Sequence, residues 1–473
     1  MNQQSNQIKN AGFRSPLITN HFKIKFPLFI ITALVIAFVW SCENVQDWSD
    51  PTDGIPPGEI TNIHVKNING GAILFYTLPS DNDLLGAKAV YTFSESEKPM
   101  EVYASAFKDS IVLEGYADTE EHVVQLYAVD KSGNLSQPVP VTIQPLTPPV
   151  EQIRRTLTAQ ATFSGVRTNW ENPSKNPISV SLYTTDSTGE KVLFERHYSS
   201  AEKGGYTFRQ FDAREQTFSI EIRDRWNHAA APLDTVLTPL YEVQILGKVG
   251  NVTRWNPYDY NNALYRGDPI EANYVGQNQG KFPSLYDGNT WDNSNYLYYR
   301  AATMDQYVPG ASSSIYILPA YLTIDMGVPA KYSRFKYYTR GRNPVYSAWV
   351  WYEFEVWGTN NPKAITEIGD GSVADNLKYW TSWPEAGGTD TWKNDWEKLA
   401  DCTINFPSGT PNNVGSVTSA EDIAFVQNGF EFDIDPDQTG KAFRYIRFVL
   451  KKNNTDNVPY IQWSELQFWG AYE

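Results

Sequence analysis

The segment GAILFYTLPSDNDLLGAKAVYT at residues 71–92 returns in altered form as GVRTNWENPSKNPISVSLYT at residues 165–184. Pro79 of the first copy and Pro173 of the second stand 94 residues apart in the chain. A pattern that returns at a fixed spacing indicates structural units of one kind. The repeat therefore predicts that this half of the chain contains two domains with the same architecture.

Each copy also contains a short run in which apolar and polar residues alternate, VVQLYAV at 123–129 and FSIEI at 218–222. A turn with an aspartate follows each run, at Asp130 and at Asp224, and these two residues are again 94 apart. Such alternation is typical of half-buried antiparallel strands, and Asp, Gly and Asn favour tight connections. The two copies are therefore predicted to be antiparallel β-sandwiches.

In length and in the style of their strands, the two copies resemble fibronectin type III and immunoglobulin-like domains in series. The resemblance implies one such domain at residues 59–147 and a second at residues 148–243, with the segment TPPVEQ from Thr147 as the hinge. The fold class expected for this half of the chain is all-β.

Residues 244–473 carry a different set of motifs. In chain order these are PSLYDGNTWDN from Pro283, PAYLTIDMG from Pro319, YEFEVWGTNNP from Tyr352, RYIRFVL from Arg444 and IQWSELQFWG from Ile461. Together they resemble the discoidin, or coagulation factor 5/8 type C, domain. The resemblance implies an eight-stranded jelly roll of the galactose-binding-like fold, whose ligand-binding loops cluster at one end.

The chain starts with a segment that has the features of an export signal. A basic stretch precedes an uncharged apolar run at residues 26–40, which is shorter than the roughly 20 residues that a membrane-spanning helix needs. The sequence VWSC at 39–42 resembles a bacterial lipobox, which implies that residues 1–41 are a signal peptide and that Cys42 is lipidated. A secreted protein with Cys42 as a free thiol, or an uncleaved anchor, remains open.

Residues 42–58 are acidic, contain Pro and Gly and show no periodicity, so they are predicted to form a tether ahead of the first domain. Glu43, Asp47 and Asp50 resemble the acidic stretch that directs some Gram-negative lipoproteins to the outer face of the outer membrane. The resemblance implies a lipid-anchored protein that faces the cell exterior. Solvated linker charge and a periplasmic location remain alternatives.

Charge and domain order limit the partners. The formal net charge is −15, which disfavours nucleic acid and anionic lipid surfaces. If Cys42 carries lipid, Cys402 has no intrachain disulfide partner, because the chain has two cysteines. The domain order resembles lipoproteins encoded beside the glycan-import machinery of polysaccharide-utilisation loci. This resemblance implies a polysaccharide or host glycan as ligand, and an outer-membrane transporter and neighbouring lipoproteins as partners.

The inventory of residues argues against an enzyme. None of the five histidines lies in residues 244–473, which excludes a Ser-His-Asp triad and a histidine-ligated zinc site there. Glu353 and Glu355 share one face of a predicted strand at a separation that glycoside hydrolysis could use, but such alternation is also typical of a solvated strand face. A non-catalytic protein is predicted, with a glycoside-active enzyme as the third alternative.

Asp287 and Glu465 are the candidate metal ligands. In discoidin-like sugar modules a calcium ion often lies under the ligand loops, held by an Asp-Gly loop and by a glutamate of the closing strand, and these positions correspond to Asp287 and Glu465 here. The resemblance therefore implies one structural Ca²⁺, an ion that prefers hard oxygen ligands. The other interpretation is that Asp287 caps a turn.

The aromatic residues indicate the class of ligand, because 11 of the 15 tryptophans lie after residue 250. A ring beside amide or guanidinium groups matches the apolar face and the hydroxyl rim of a sugar. The residues in predicted loops chosen for glycan binding are Trp291, Tyr296, Arg340, Arg342, Trp383, Asn454 and Tyr460. The predicted function is polysaccharide capture, and the alternative is a structural or protein-interaction subunit of a transporter complex.

Overall fold

The computed structural model describes residues 54–93, 98–258, 267–268, 282–300, 318–341, 350–409, 419–453 and 460–473. Cys42, Arg342 and Asn454 lie outside the described residues, as does the side chain of Tyr460. No helix in the described ranges is both long enough and apolar enough to span a bilayer.

The first of two compact units ends at Pro148 and contains one β-sandwich. Its strands are β1 (Thr61–Ile68), β2 (Gly71–Thr77), β3 (Leu84–Tyr91), β4 (Met100–Ser105), β5 (Ser110–Glu114), β6 (His122–Asp130) and β7 (Val139–Ile143). Among its described residues, one antiparallel sheet has the order β1-β2-β5 and the other the order β4-β3-β6-β7. Leu74, Leu113 and Leu126 are fully buried in the core because alternate side chains of a strand share a face.

The second unit starts at Pro149 with another sandwich. Its elements are helix α1 (Pro149–Thr156) and strands β8 (Thr158–Thr162), β9 (Gly165–Glu171), β10 (Ile178–Thr185), β11 (Lys191–Ser199), β12 (Lys203–Arg209), β13 (Gln216–Asp224) and β14 (Leu233–Leu237). Its sheets have the orders β8-β9-β12 and β11-β10-β13-β14. Strand for strand this is the arrangement of the first sandwich, so the prediction of all-β, fibronectin-like domains is confirmed.

The repeated aspartates have the same structural role in both sandwiches. The Asn134 amide donates to Asp130 Oδ1 at 2.8 Å, and the His228 amide donates to Asp224 Oδ1 at 2.9 Å. Each carboxylate therefore caps the turn that leaves β6 or β13, as Asp side chains commonly do in tight connections. This local need explains why an aspartate stands at the same place in both copies.

The rest of the second unit is the C-terminal domain. Its strands are β15 (Val243–Ile245), β16 (Lys248–Val249), β17 (Val252–Thr253), β18 (Asn256–Pro257), β19 (Leu297–Arg300), β20 (Ala320–Thr339), β21 (Trp351–Thr359), β22 (Glu397–Thr403), β23 (Phe430–Asp433), β24 (Ala442–Asn453) and β25 (Tyr460–Tyr472). Helices α2 (Val373–Trp380) and α3 (Ala420–Gln427) and the 3₁₀ turns Phe282–Tyr286, Ile365–Glu367, Pro384–Ala386 and Thr391–Asp395 complete it.

The main sheet of this domain has the order β15-β25-β20-β24-β21-β22, with β18 and β23 beside β20 and β19 beside β25. Among the described residues this sheet holds nine strands and the domain eleven, against the eight expected for the whole domain, because short strands flank the long ones. β20 pairs first with β24 and then with β25, and the register shifts between Asp325 and Ala330. Gly327 lies in this shift with φ +80°, and a Cβ there would be 2.7 Å from the Arg254 carbonyl oxygen.

Ion pairs connect the C-terminal domain to the second sandwich within the same unit. The side chain of Glu242 is only 7% exposed, and it accepts hydrogen bonds from Ser333 Oγ at 2.5 Å and from Arg334 Nη2 at 3.0 Å. Arg209 Nη1 lies 3.6 Å from the same carboxylate, and Arg209 also pairs with Asp433. The junction is therefore a network of largely buried charges.

We expect Glu242→Ala to lower the free energy of unfolding of the second unit by about 2–3 kcal/mol, because it removes a buried carboxylate that Arg209 and Arg334 share. Urea denaturation of the full chain measures the change. Glu202→Ala is the control, since the pair of Glu202 with Lys175 is exposed on both sides and its loss should change stability by about 0.5 kcal/mol or less. Equal effects of the two variants would contradict the structural role of the junction.

Candidate functional site

A loop at residues 287–296 connects the 3₁₀ turn Phe282–Tyr286 to β19. β19 pairs with the start of β25 through Leu297 and Trp463, and the last residue of β20, Thr339, pairs with the same tryptophan. β15, by contrast, pairs with the far end of β25, opposite residues 468–470. The loop therefore lies beside the first half of β25 and next to the end of β20, away from the point where the chain enters from the second sandwich. We call residues 287–296 with Arg340, Gln462 and Glu465 the rim.

Hydrogen bonds within the loop fix its shape. Asp287 accepts from the Asn289 amide at 2.9 Å through Oδ1 and from Asn295 Nδ2 at 2.6 Å through Oδ2. Asp292 accepts from the Ser294 amide at 2.6 Å and from Asn289 Nδ2 at 2.9 Å. Asp and Asn side chains stabilise turns in this way, so the loop is ordered by its own polar residues.

The strand ends hold the loop in place. Gly288 donates its amide to Glu465 Oε2 at 3.0 Å, and Ser464 Oγ donates to the Thr290 carbonyl at 3.0 Å. The Gly341 amide donates to the Asp292 carbonyl at 2.9 Å. Each of these bonds joins the loop to β25 or to the end of β20, so the rim is attached to rigid elements, where precise ligand geometry is easiest to maintain.

Arg340 is positioned by three neighbours. Its Nε donates to Asn293 Oδ1 at 2.7 Å, its Nη1 donates to Gln462 Oε1 at 3.2 Å, and its guanidinium stacks 4.4 Å from the centre of the Tyr296 ring. Arg340 is half-buried, whereas Tyr296 beneath it is only 3% exposed. The prediction that Tyr296 offers its ring to a sugar is therefore wrong, because the arginine covers it.

The structure brings Trp291, Tyr296, Arg340, Asp287 and Glu465 together at the rim. Trp291 is half-buried, and its side chain packs against the main core. Further polar residues complete the rim, and none of them was predicted from the sequence. They are Asn289, Asp292, Asn293, Asn295 and Gln462. The run of Asn and Asp between Asp287 and Asn295 was the available signal, because such runs are typical of ordered polar turns.

Trp383 lies elsewhere and is fully buried, so its predicted role as a binding ring is also wrong. Its Nε1 donates to the Pro319 carbonyl at 2.8 Å. It belongs to a second core that the segment after β21 forms against β20 and β24. The rings of this core are those of Tyr321, Tyr379, Trp380, Trp383, Trp392 and Trp396.

The rings of this second core surround a buried cation, the guanidinium group of Arg447. Arg447 has no exposed surface, and its Nη1 donates to Asp268 Oδ1 at 2.8 Å and to Thr323 Oγ1 at 2.6 Å. The rings of Tyr321, Trp392 and Trp380 lie 4.4, 4.9 and 5.1 Å from its guanidinium carbon. Aromatic faces stabilise a desolvated cation, so these tryptophans serve packing.

Glu465 is the one buried acid of the rim. It is 3% exposed, and burial, with a smaller contribution from the charge of Asp287, raises the pKa of Glu465 from its ordinary 4.5 to about 7 against the effect of the Gly288 hydrogen bond. The described residues contain no group of three or more Asp, Glu, His or Cys placed to hold a metal ion. Both oxygens of Asp287 accept N–H groups. This arrangement fits a capped turn better than calcium coordination, and calcium binding stays a prediction.

Of the two carboxylates of β21, Glu355 is engaged in structural contacts. Glu355 is 7% exposed; burial raises its pKa, but hydrogen bonds from Lys451 and from the Trp357 indole outweigh burial, and the pKa of Glu355 lies below its usual value. Lys393 lies 3.5 Å from the same carboxylate. A carboxylate held ionised by two lysines is poorly suited to act as a general acid.

Three domain families match the chain. They are DUF4959 at residues 57–145, DUF5126 at residues 146–248 and DUF5000 at residues 291–470, each described as a domain of unknown function. No curated protein matches the chain. The fold and these matches define a chain of fibronectin-like sandwiches that ends in a larger β-domain.

Solved structures give weaker similarities. The SusE-like protein BT2857 is 26% identical, with a TM-score of 0.37, and the match covers 69% of this chain and 100% of that one. A chitobiase fragment from Bacteroides thetaiotaomicron is 17% identical, with a TM-score of 0.24 and coverage of 48% and 95%. Two fibronectin type III domains of chicken tenascin are 14% identical, with a TM-score of 0.19 and coverage of 38% and 99%. Similarities at this level do not establish a shared function.

Proposed function

We propose that the chain is a lipid-anchored protein of the outer-membrane surface that captures glycan at the rim without catalysis. The observation that carries the proposal is the convergence of Arg340, Trp291 and the amide and carboxylate groups of the loop at one end of the C-terminal domain. A few fixed polar groups beside an aromatic side chain are what a sugar site needs.

The rim would bind mainly through hydrogen bonds. Arg340 is held by Tyr296, Asn293 and Gln462, so little side-chain entropy is lost when a hydroxyl group docks on it. The amides supply donors and acceptors for vicinal hydroxyls, and Trp291 supplies the partly exposed ring. Because Trp291 is the one ring of the rim with partly exposed surface, each contact is weak, and clustering of several copies on a membrane would raise the overall affinity.

Lipid attachment and location rest on the sequence. The lipobox-like VWSC at 39–42 and the acidic residues that follow it support an anchor at Cys42 and a site facing the exterior. The discoidin-like motifs support a sugar ligand for the C-terminal domain. In this proposal the two sandwiches are spacers, and the protein hands its glycan to an outer-membrane transporter and neighbouring lipoproteins.

The test is calorimetric titration of the full chain, purified in detergent, with a panel of plant and host polysaccharides. We expect micromolar to millimolar affinity for at least one of them, and Arg340→Ala should weaken it at least about tenfold, because a charge-assisted hydrogen bond is lost.

Arg254→Ala is the matched control. Arg254 is also half-buried and stacks on a tyrosine, 4.9 Å from the ring centre of Tyr472, but that tyrosine is near the opposite end of β25. Binding should be unchanged in this variant. Equal losses in the two arginine variants, or no binding across the panel, would remove the rim as the capture site.

A role as a scaffold is the second candidate, and one observation in the first unit favours it. Phe107, in the turn between β4 and β5, is 100% exposed, and Leu85 of β3, whose carbonyl accepts the Ala106 amide at 2.8 Å, is 52% exposed. Exposed apolar side chains at one tip are typical of protein contacts. Loss of cross-linked transporter in a Phe107→Ser variant that still binds glycan would support this role.

A further inference from the structure

A cleft of about 450 Å³ lies on the second sandwich, well apart in sequence from the rim residues. It forms where β10 begins and β11 and β13 end, and the ladder pairs Ser179 with Tyr198 and Ile178 with Asp224. Ile178 is buried in the sandwich core and gives the cleft an apolar floor, while serines surround it. Apolar floors with a few convergent polar groups are typical of small-ligand sites.

One wall of the cleft is an exposed aromatic ring. Tyr198 is 71% exposed, although it stands in a regular strand whose partner residue Ser179 is buried. Ser179, Ser199 and Ser200 also line the cleft. An exposed aromatic ring beside serine side chains offers both an apolar face and hydrogen-bonding groups, as a pyranose requires.

The other wall is a guanidinium group. Arg225 is exposed, and its guanidinium carbon stacks 4.1 Å from the centre of the Trp226 ring, which limits its freedom. Arg223 and Arg196 belong to the same outward sheet face, because they pair with Ser179 and Ser181, the outward residues of β10. The chain as a whole has a net charge of −15, so most of its surface is expected to repel anions. A local excess of arginine makes the electrostatic potential at the cleft more positive and would attract an anion.

The one carboxylate that lines the cleft, among the residues described there, is engaged. Asp224 Oδ1 accepts the amides of Trp226 and His228, both at 2.9 Å, and its Oδ2 lies 3.1 Å from His228 Nδ1. Its side chain is 10% exposed. The nearby Glu221 is paired with Arg223. Both carboxylates already accept hydrogen bonds from the protein, so they are poorly placed to accept one from a ligand hydroxyl.

We propose that this cleft is a second saccharide site that takes an acidic sugar, with the sugar ring on Tyr198 and its anionic group on Arg225. A planar guanidinium pairs with carboxylate or sulfate oxygens through two parallel hydrogen bonds. Uronates and sulfated sugars both carry an anionic group on a pyranose ring, so either class of sugar could bind in this way. The site goes beyond the rim and does not depend on it.

The test uses calorimetry on the full chain in detergent with three probes: an oligogalacturonate, a carrageenan oligosaccharide and a neutral galacto-oligosaccharide. We expect one or both anionic probes to bind and, in the Arg340→Ala chain whose rim is disabled, the neutral probe to bind at least tenfold more weakly. The affinity for the anionic probe should fall as salt is raised. The probe that binds identifies the carboxylate or the sulfate as the preferred group.

Variants separate this cleft from other surfaces. Tyr198→Ala and Arg225→Ala should each weaken binding of the anionic probe about tenfold or more, with unchanged melting temperature because both side chains are exposed. Tyr241→Ala is the matched control, since Tyr241 is also 71% exposed but does not line the cleft. Arg340→Ala at the rim should also leave this binding unchanged.

The proposal is overturned if neither anionic probe binds, if the Arg340→Ala chain binds the neutral probe as well as the anionic ones, or if Tyr198→Ala and Arg225→Ala bind like the unmodified chain. Loss of anionic binding in Arg340→Ala alone would place the acidic sugar at the rim and would equally overturn it. Failure of glycan binding at the rim, with anionic binding intact here, would remove the proposed function of the rim and leave this site.

Discussion

Asp268→Asn should destabilise the second unit by about 3–5 kcal/mol, because it removes a carboxylate charge that is paired with the fully buried Arg447. Arg447 has no exposed surface, and its Nη1 lies 2.8 Å from Asp268 Oδ1. The surrounding rings of Tyr321, Trp380 and Trp392 stabilise the cation but do not neutralise it. Urea denaturation followed by tryptophan fluorescence measures the loss, since tryptophans surround the pair.

Asp325→Asn is the matched control for this variant. Asp325 also accepts two hydrogen bonds from an arginine, Arg444, at 2.8 and 2.9 Å, but the two side chains are 20% and 41% exposed. Solvent screening should limit its effect to about 1 kcal/mol or less. If Asp268→Asn cost no more than this control, the assignment of Trp380 and Trp392 to a core around Arg447 would be contradicted.

Glu465→Gln should stabilise the second unit at pH 8 by about 3 kcal/mol and leave it unchanged near pH 4. Burial and Asp287 raise the pKa of Glu465 from 4.5 to about 7 in the folded protein. Below pH 4.5 the carboxyl is protonated in both the folded and unfolded states. As the pH rises from 4.5 to 7, the unfolded state releases this proton while the folded state keeps it, so the wild-type free energy of unfolding falls over this range. Glutamine stays neutral and avoids this loss.

Urea denaturation at pH 4 to 8, in EDTA, measures the difference between the two proteins. We predict that the ionised Glu465 destabilises the folded protein at pH 8 because it is buried. A variant that is less stable than the wild type at pH 8 would contradict this prediction. Repeating the series with calcium tests the predicted ion separately. If Glu465 is a calcium ligand, calcium will stabilise the wild type and not the variant; if it only fixes the Gly288 amide, calcium will change neither.

The two sandwiches could be predicted because their signals are local. Alternation within strands such as residues 123–129 and the repeated turn aspartates Asp130 and Asp224 depend on neighbours a few residues away. The period of 94 residues then showed that one architecture occurs twice. Such local patterns are reliable here because antiparallel strands that follow each other in the chain can be joined by short turns.

The exposure of particular rings could not be predicted in this way. Trp383 is in a loop by sequence, yet its indole bonds to Pro319, 64 residues earlier in the chain. Tyr296 is covered by Arg340, which comes from the end of another strand. Whether an aromatic residue in a loop faces solvent depends on contacts with residues that are distant in sequence. The periodicity of the sequence does not predict such contacts. The Arg340 prediction placed a residue at the rim, but the amides that fix it were missed.

Two polar surfaces of different charge would suit a protein that holds a long polymer. The rim mixes Arg340 with Asp287 and Asp292, whereas the cleft beside Tyr198 has an excess of arginine. Contacts at two points on one chain of sugar would add avidity without strong binding at either. If both proposals hold, weak binding at each site would let the polymer be released.

The central claim is that glycan docks on the rim loop, and hydrogen–deuterium exchange of the full chain tests it most directly. With a polysaccharide that binds, we predict slower amide exchange in residues 287–296 and at Arg340, and unchanged exchange around Arg254 at the other end of β25. Slower exchange elsewhere with none at residues 287–296, or no glycan that binds at all, would contradict the account.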